Sequence, residues 1–179
     1  RLALQKLRQS NEKLASQTLF DHLTGLYNRR GFLTFGLQQM KIAKRLKADN
    51  YLVFLDIDNL KEVNDTHGHA VGDLLLQGVA AILKSTLRES DVIGRIGGDE
   101  FAVLAMRSKG LGEKSLQARV EEGVSAFRVK GFARLRLSVS MGLVAVDPQK
   151  YQQLDDFLAH ADFLMYQQKR QKERQENHS

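Results

Sequence analysis

Apolar and polar positions along the chain change period several times, and each change marks an element. Leu4, Leu7, Asn11, Leu14 and Thr18 recur at the three-and-four spacing of a helical seam. Residues 1–18 therefore read as the end of a signalling helix leading in from an upstream segment, with polar Asn11 setting register; an amphipathic helix packed on the domain is the alternative. Two glycines and an Asn then break the pattern across Asp21-His22-Leu23-Thr24-Gly25-Leu26-Tyr27-Asn28-Arg29-Arg30-Gly31-Phe32. This predicts a structured turn followed by a helix over 30–47, closed by Lys44, Arg45 and Lys47 where positive charge suits the macrodipole. Asp21 with Arg29 and Arg30 reads as a buried polar clamp between the entry helix and the domain.

The continuous run Tyr51-Leu52-Val53-Phe54-Leu55 predicts a buried central strand, ending in Asp56-Ile57-Asp58. Alternation places both aspartates on one face and Ile57 on the other. Gly68 and Gly72 read as breaks before a helix running through Leu74 to about Leu87. Short apolar runs at 92–93 and 101–105 flank Gly97-Gly98-Asp99-Glu100 and predict a β-hairpin. Val120, Val124 and Phe127 share one face of a helix over 115–127. Alternation over 135–146 predicts a strand kinked at Gly142, and Phe157, Leu158, Ala161, Leu164 and Met165 line a final helix from Leu154 to about Glu173. The order implies an α/β fold: a mixed central sheet sandwiched by helices.

Composition narrows the class. At 179 residues, 42% of them hydrophobic, the chain can bury the core of one substantial domain. With no cysteine it can form neither disulfides nor thiolate metal sites. No apolar run approaches the roughly 18 residues of a membrane span. The chain begins at Arg1, so it reads as part of a longer protein whose upstream region carries a sensor. A net charge of +6 without a zinc-finger or RNA-binding signature argues for a polyphosphate ligand and against nucleic acid.

The acidic hairpin is the first chemical candidate. Glycines at 97 and 98 permit positive φ or close approach of a ligand, and Asp99-Glu100 suits a hard divalent cation; a solvated tip is the bland reading. Asp56 and Asp58, at the end of a buried strand, are costly without a partner, so a metal ion or a loop-capping role must account for them. Asn64, His69 and Asp73 could read a purine edge carrying donors and acceptors, such as guanine, or could be caps and turn formers. A metal site requires the strand of Asp56 to lie beside the hairpin of Asp99.

Four segments in this order, DHLTGLYNRRGF, LDIDNLKEVNDTHGHAVGD, RESDVIGRIGGDEF and SVSMGLV, resemble the GGDEF domains, diguanylate cyclases that convert two GTP to cyclic dimeric GMP and two pyrophosphates. The likeness spans residues 19–172, and it implies a linker at 1–18, a catalytic domain over 19–175 and a nucleotidyl-cyclase-like fold with the signature on a hairpin. It implies magnesium, with manganese as the alternative, on Asp56, Asp99 and the Ile57 carbonyl. Asp99 would also accept the 3′-hydroxyl proton, Lys61 would stabilise the reacting phosphate, and Glu100, catalytic as part of the signature, would hold a second metal. Asn64, His69, Asp73, Gly97, Gly98 and Lys169 would contact GTP. Arg88 and Asp91, assisted by Arg119 from a neighbouring domain, would form an inhibitory site for the product.

The resemblance further implies a homodimer, because the product joins two nucleotides. It implies a cytoplasmic domain, compatible with a membrane-anchored full-length chain. Two departures stand out: Leu60 replaces the usual Phe, and Glu173 replaces an Arg of the closing helix. The alternatives are a catalytically silent domain that serves as a cyclic di-GMP receptor, and a related cyclase that takes ATP or makes a mixed dinucleotide.

Overall fold

The computed structural model describes residues 18–107, 113–147 and 153–176. The seam expected over 4–18 lies outside them except for Thr18. The elements are α1 (Arg29–Leu46), β1 (Asp49–Ile57), α2 (Leu60–His67), α3 (His69–Thr86), β2 (Val92–Arg95), β3 (Glu100–Arg107), α4 (Glu113–Ala126), β4 (Val139–Val146) and α5 (Leu154–Glu176). Asn28 caps α1 by accepting the Gly31 N–H at 2.9 Å.

The four strands lie in the order β2-β3-β1-β4, and every neighbouring pair is antiparallel. The expected α/β fold is present, but its sheet is antiparallel rather than mixed. The chain leaves β1, crosses through α2 and α3, and starts β2 in the same direction as β1. The hairpin then inserts β3 between the two, so no two of these four strands pair in parallel; the one parallel contact among the described residues is the isolated bridge of Tyr27 to Gly94. This is the split β-α-β-β-α-β arrangement.

Strand alternation sends Val53, Leu55 and Ile57 into a core shared with Leu75, Val79 and Leu83 of α3 and Val120 of α4. Leu52 and Phe54 enter the opposite core with Phe32 of α1 and Phe157, Ala161 and Met165 of α5. Leu60, the departure from Phe, is buried in the first core and keeps its apolar role.

Two glycine expectations change. Gly72 is helical and breaks nothing: a Cβ there would lie 1.9 Å from Asn64 Oδ1, so the absent side chain makes room for the Asn64 amide. Gly142 sits within an unbroken register, paired with Phe54, and produces no bulge. A Cβ there would lie 1.9 Å from the Ala161 carbonyl oxygen, so this glycine lets α5 pack closely on β4.

Candidate active site

The antiparallel pairing of β1 with β3 sets Asp56 opposite Glu100. Past the strand end, the Ile57 N–H donates to the Asp99 carbonyl at 3.1 Å. The adjacency that a joint metal site requires is therefore met by main-chain geometry. Ile57 points its side chain into the opposite core, leaving only its backbone to the site.

Asp56 is 7% exposed, and Lys169 of α5 donates to its Oδ1 at 2.5 Å. Burial pushes the Asp56 carboxyl above its ordinary value; the Lys169 bond opposes this, and the Asp99 and Asp58 charges add to the rise. Glu100 is also pushed up, first by burial, then by Asp99, Asp162 and Asp56, with Arg29 opposing. Asp56, Asp99 and Glu100 thus form a cluster of mutually repelling carboxylates. Burial works against the charge of Lys169, but its bond to Asp56 and the nearby carboxylates hold its ammonium above the usual range.

Among the described residues no three His, Cys, Asp or Glu side chains form a complete metal cage. The chemistry still fits magnesium, a hard ion that binds one or two carboxylates and fills its remaining positions with water and substrate phosphates. Asp56 and Asp99, with a main-chain carbonyl between them in sequence, are such a donor set, and a cation would relieve their repulsion.

Neither Gly97 nor Gly98 takes a positive φ, contrary to one of the expectations for the pair. Close approach is what Gly97 provides. A Cβ on Gly97 would lie 1.9 Å from Glu100 Oε2, so the Glu100 carboxylate folds back over the turn, while Gly98 faces open space. The Ile96 N–H closes the turn on the Glu100 carbonyl at 2.9 Å. Arg95 braces it: Nε and Nη2 donate to the Gly98 carbonyl at 3.1 and 2.7 Å, and Nη1 reaches both Asp21 carboxylate oxygens at 3.3 Å.

The polar clamp expected for Asp21 therefore exists with Arg95 rather than with Arg29 or Arg30. Arg29 instead meets exposed Asp155 at 3.3 Å. Burial opposes ionisation of Asp21, but bonds from Thr24 and the Arg95 guanidinium hold its carboxyl below the ordinary value.

The candidate base-binding residues gather at the junction of α2 and α3, where Gly68 (φ 85) turns the chain. Asn64 Oδ1 is buried without a hydrogen-bond partner, against Gly72. His69 and Asp73 are exposed on the first turns of α3, and Lys61 is exposed on the first turn of α2. They lie on the chain leading directly away from Asp58.

Arg88 and Asp91 close a small turn. Asp91 Oδ2 accepts the Arg88 N–H at 2.9 Å, and the Asp91 N–H donates to the Arg88 carbonyl at 2.9 Å. Asp91 is 7% exposed, so its carboxylate has a structural task, whereas the Arg88 side chain is exposed. Both line a cavity of about 370 Å³ with Phe20, Tyr27 and Lys84. Arg119 of α4 is bonded to the Thr86 carbonyl of its own domain.

Sequence reasoning missed the anchoring of Asp58. Ser138 and Ser140 hydroxyls donate to its two oxygens at 2.6 and 2.7 Å, and Lys172 donates at 3.0 Å. Lys169 and Lys172 stand one helical turn apart, and the two serines stand two apart, one just before β4 and one on it; these spacings were the available signal. Glu173 is exposed and lines a small recess with Asp58, Asn59, Lys169 and Lys172.

A family model described as "Diguanylate cyclase, GGDEF domain" matches residues 18–175. The chain is 35% identical over 165 residues to the probable diguanylate cyclase DgcC of Escherichia coli K12, covering 92% of this chain and 44% of that protein. It is 35% identical over 172 residues to diguanylate cyclase DgcP of the same strain, covering 96% and 50%. It thus spans about half the length of these curated relatives. Among solved structures it resembles diguanylate cyclase SiaD of Pseudomonas aeruginosa in complex with its activator SiaC, with TM-score 0.77, 31% identity and coverage of 94% and 65%. It also resembles the coiled coil and GGDEF domain of DgcB from Caulobacter crescentus in complex with c-di-GMP, with TM-score 0.75, 26% identity and coverage of 94% and 90%.

Proposed function

The chain belongs to the GGDEF domain family of diguanylate cyclases, and on that premise we propose that it condenses two GTP into cyclic di-GMP and two pyrophosphates. The observation that carries this reading is the meeting of Asp56 with Asp99 and Glu100 across the β1–β3 pairing. Asp56, Asp99 and the Ile57 carbonyl would hold magnesium or manganese, and the ion would supply screening of phosphate charge and acidification of the attacking 3′-hydroxyl. Asp99 accepts the 3′-hydroxyl proton. Lys61 neutralises charge building on the reacting phosphate, and Glu100 supports the cluster from the other side of the turn.

The guanine edge is read by Asn64 and Asp73, with His69 beside them. The orphaned Asn64 Oδ1, held in place by the absence of a side chain at Gly72, supports that assignment. Adenine N1 carries no hydrogen for Asp73 to accept, so ATP is rejected. Exposed Gly98 and the flat turn leave room for the triphosphate. One domain positions one nucleotide, so two copies face each other, and activity depends on their association. Product feeds back at Arg88, with Asp91 shaping the turn that presents it and Arg119 reaching in from a neighbouring copy.

Incubating the chain with GTP and Mg²⁺ tests the proposal. Cyclic di-GMP is expected from the wild type and none from Asp99→Ala. Synthesis retained in Asp99→Ala would remove the metal and base roles. Binding of cyclic di-GMP by a wild type that makes none would support the receptor alternative.

A further inference from the structure

Asp56 at the end of β1 and Asp58 just past it each carry an ammonium from α5, but the two pairs are built differently. Asp58 has both oxygens occupied, by Ser138, Ser140 and Lys172. Removing Lys172 from it would leave two hydroxyl donors in place. At Asp56, Lys169 is the side-chain donor, held at 2.5 Å on Oδ1. Lys169 is a long flexible side chain with 27% of its surface exposed, so it has room to leave. A divalent cation on Oδ1 must displace this ammonium, and one on the other oxygen still meets its positive charge close by across the same carboxylate, so in either position the lysine works against the metal.

We propose that Lys169 is an exchangeable internal cation that keeps Asp56 closed to metal until nucleotide arrives. The inference rests on the metal role of Asp56 proposed above and adds its regulation. With no triphosphate, the Lys169–Asp56 pair competes with the metal and lowers its apparent affinity by the fraction of molecules in which the pair is open. Triphosphate offers the released ammonium a second anionic partner, so metal and nucleotide bind cooperatively. The lysine passes from carboxylate to phosphate as the metal enters. Lys172 stays on Asp58 throughout and fixes the helix from which Lys169 swings.

Titration of the 179-residue chain with Mn²⁺ alone, without nucleotide, tests this by following free Mn²⁺ through its electron paramagnetic resonance signal. Lys169→Met is expected to bind Mn²⁺ roughly tenfold more tightly than wild type, the gain for a pair open in about a tenth of molecules. Lys169→Gln should gain similarly, and far-UV circular dichroism checks that both variants are folded. Arg170→Gln removes the same charge from the neighbouring exposed position and should change affinity little, because exposed charge is screened. Unchanged affinity in folded Lys169→Met and Lys169→Gln, or an equal gain in Arg170→Gln, would overturn the lock. Asp56→Asn should lose Mn²⁺ binding. Wild-type binding in Asp56→Asn would overturn the metal role of Asp56 itself, a failure distinct from that of the lock.

Discussion

Asp56 and Asp58 stand two residues apart, one at the end of β1 and one just past it, face the same helix, and have side chains that are each 10% exposed. Their carboxyl groups nevertheless shift in opposite directions. Burial raises Asp56, and its one lysine bond does not overcome the added repulsion of Asp99. Burial opposes ionisation of Asp58 too, but two hydroxyls and the Lys172 ammonium outweigh it and hold that carboxyl low. The difference lies in the supply of donors, not in depth. A buried charge with all its partners is part of the framework, whereas one left short of partners is reserved for something that binds.

The contrast can be broken most severely through activity. Asp56→Asn should lower cyclic di-GMP synthesis by roughly 10³-fold, the scale of losing transition-state charge stabilisation. Its midpoint of urea unfolding should hold or rise, because a repelled carboxylate has been removed. A large stability loss in Asp56→Asn would make that residue a framework group and erase the distinction.

Asp58→Asn should do the reverse in stability. It loses charge-assisted bonds to Ser138, Ser140 and Lys172, and about 2 kcal/mol of unfolding free energy should go with them. This figure is moderate because Lys172 is 36% exposed and partly screened. Urea titration reads it directly.

A third variant moves the comparison to the Arg88–Asp91 turn. Arg88→Ala should raise the product concentration needed for half-inhibition about tenfold, the loss of one charge-assisted contact, with initial rates unchanged. Asp91→Ala should also lower the unfolding midpoint, because the Arg88 N–H loses its acceptor.

The smallest effect is in pH. The lowered Asp58 pKa contributes stability that is present above the unfolded value near 3.8 and lost as pH falls through the folded value, so the gap between wild type and Asp58→Asn should close on acidification. The raised Asp56 pKa contributes stability below 3.8 that is lost as pH rises through its folded value. Asp56→Asn should therefore gain on wild type as pH climbs through that window. Thermal melts across the acid range check both signs.

Much of this was legible in the sequence because it follows from period. The apolar run at 51–55 and the alternation after it placed Asp56 and Asp58 on one face, and the structure keeps them there. The hairpin at 92–105 was equally plain from its flanking apolar runs. Helix α2 was hidden by the polar density of residues 59–67 and by the glycines that follow. Gly72 reads as a breaker until its contact with Asn64 is visible, and Gly142 reads as a kink until α5 is seen against it.

Long-range polar pairing was the least legible. Nothing local directs Arg95 to Asp21, Lys169 to Asp56 or Lys172 to Asp58; those bonds depend on how the final helix and the entry turn dock. The antiparallel sheet was missed for a similar reason, since strand order is set by where the hairpin inserts.

The most direct test of the central claim is the initial rate of cyclic di-GMP formation from GTP and Mg²⁺ as a function of protein concentration. A site assembled from Asp56 and Asp99 in each of two facing domains predicts product, formed at a rate that rises more steeply than in proportion to protein until the pairs are saturated. No product at any concentration, or a strictly proportional rate from a chain that stays monomeric, would contradict it.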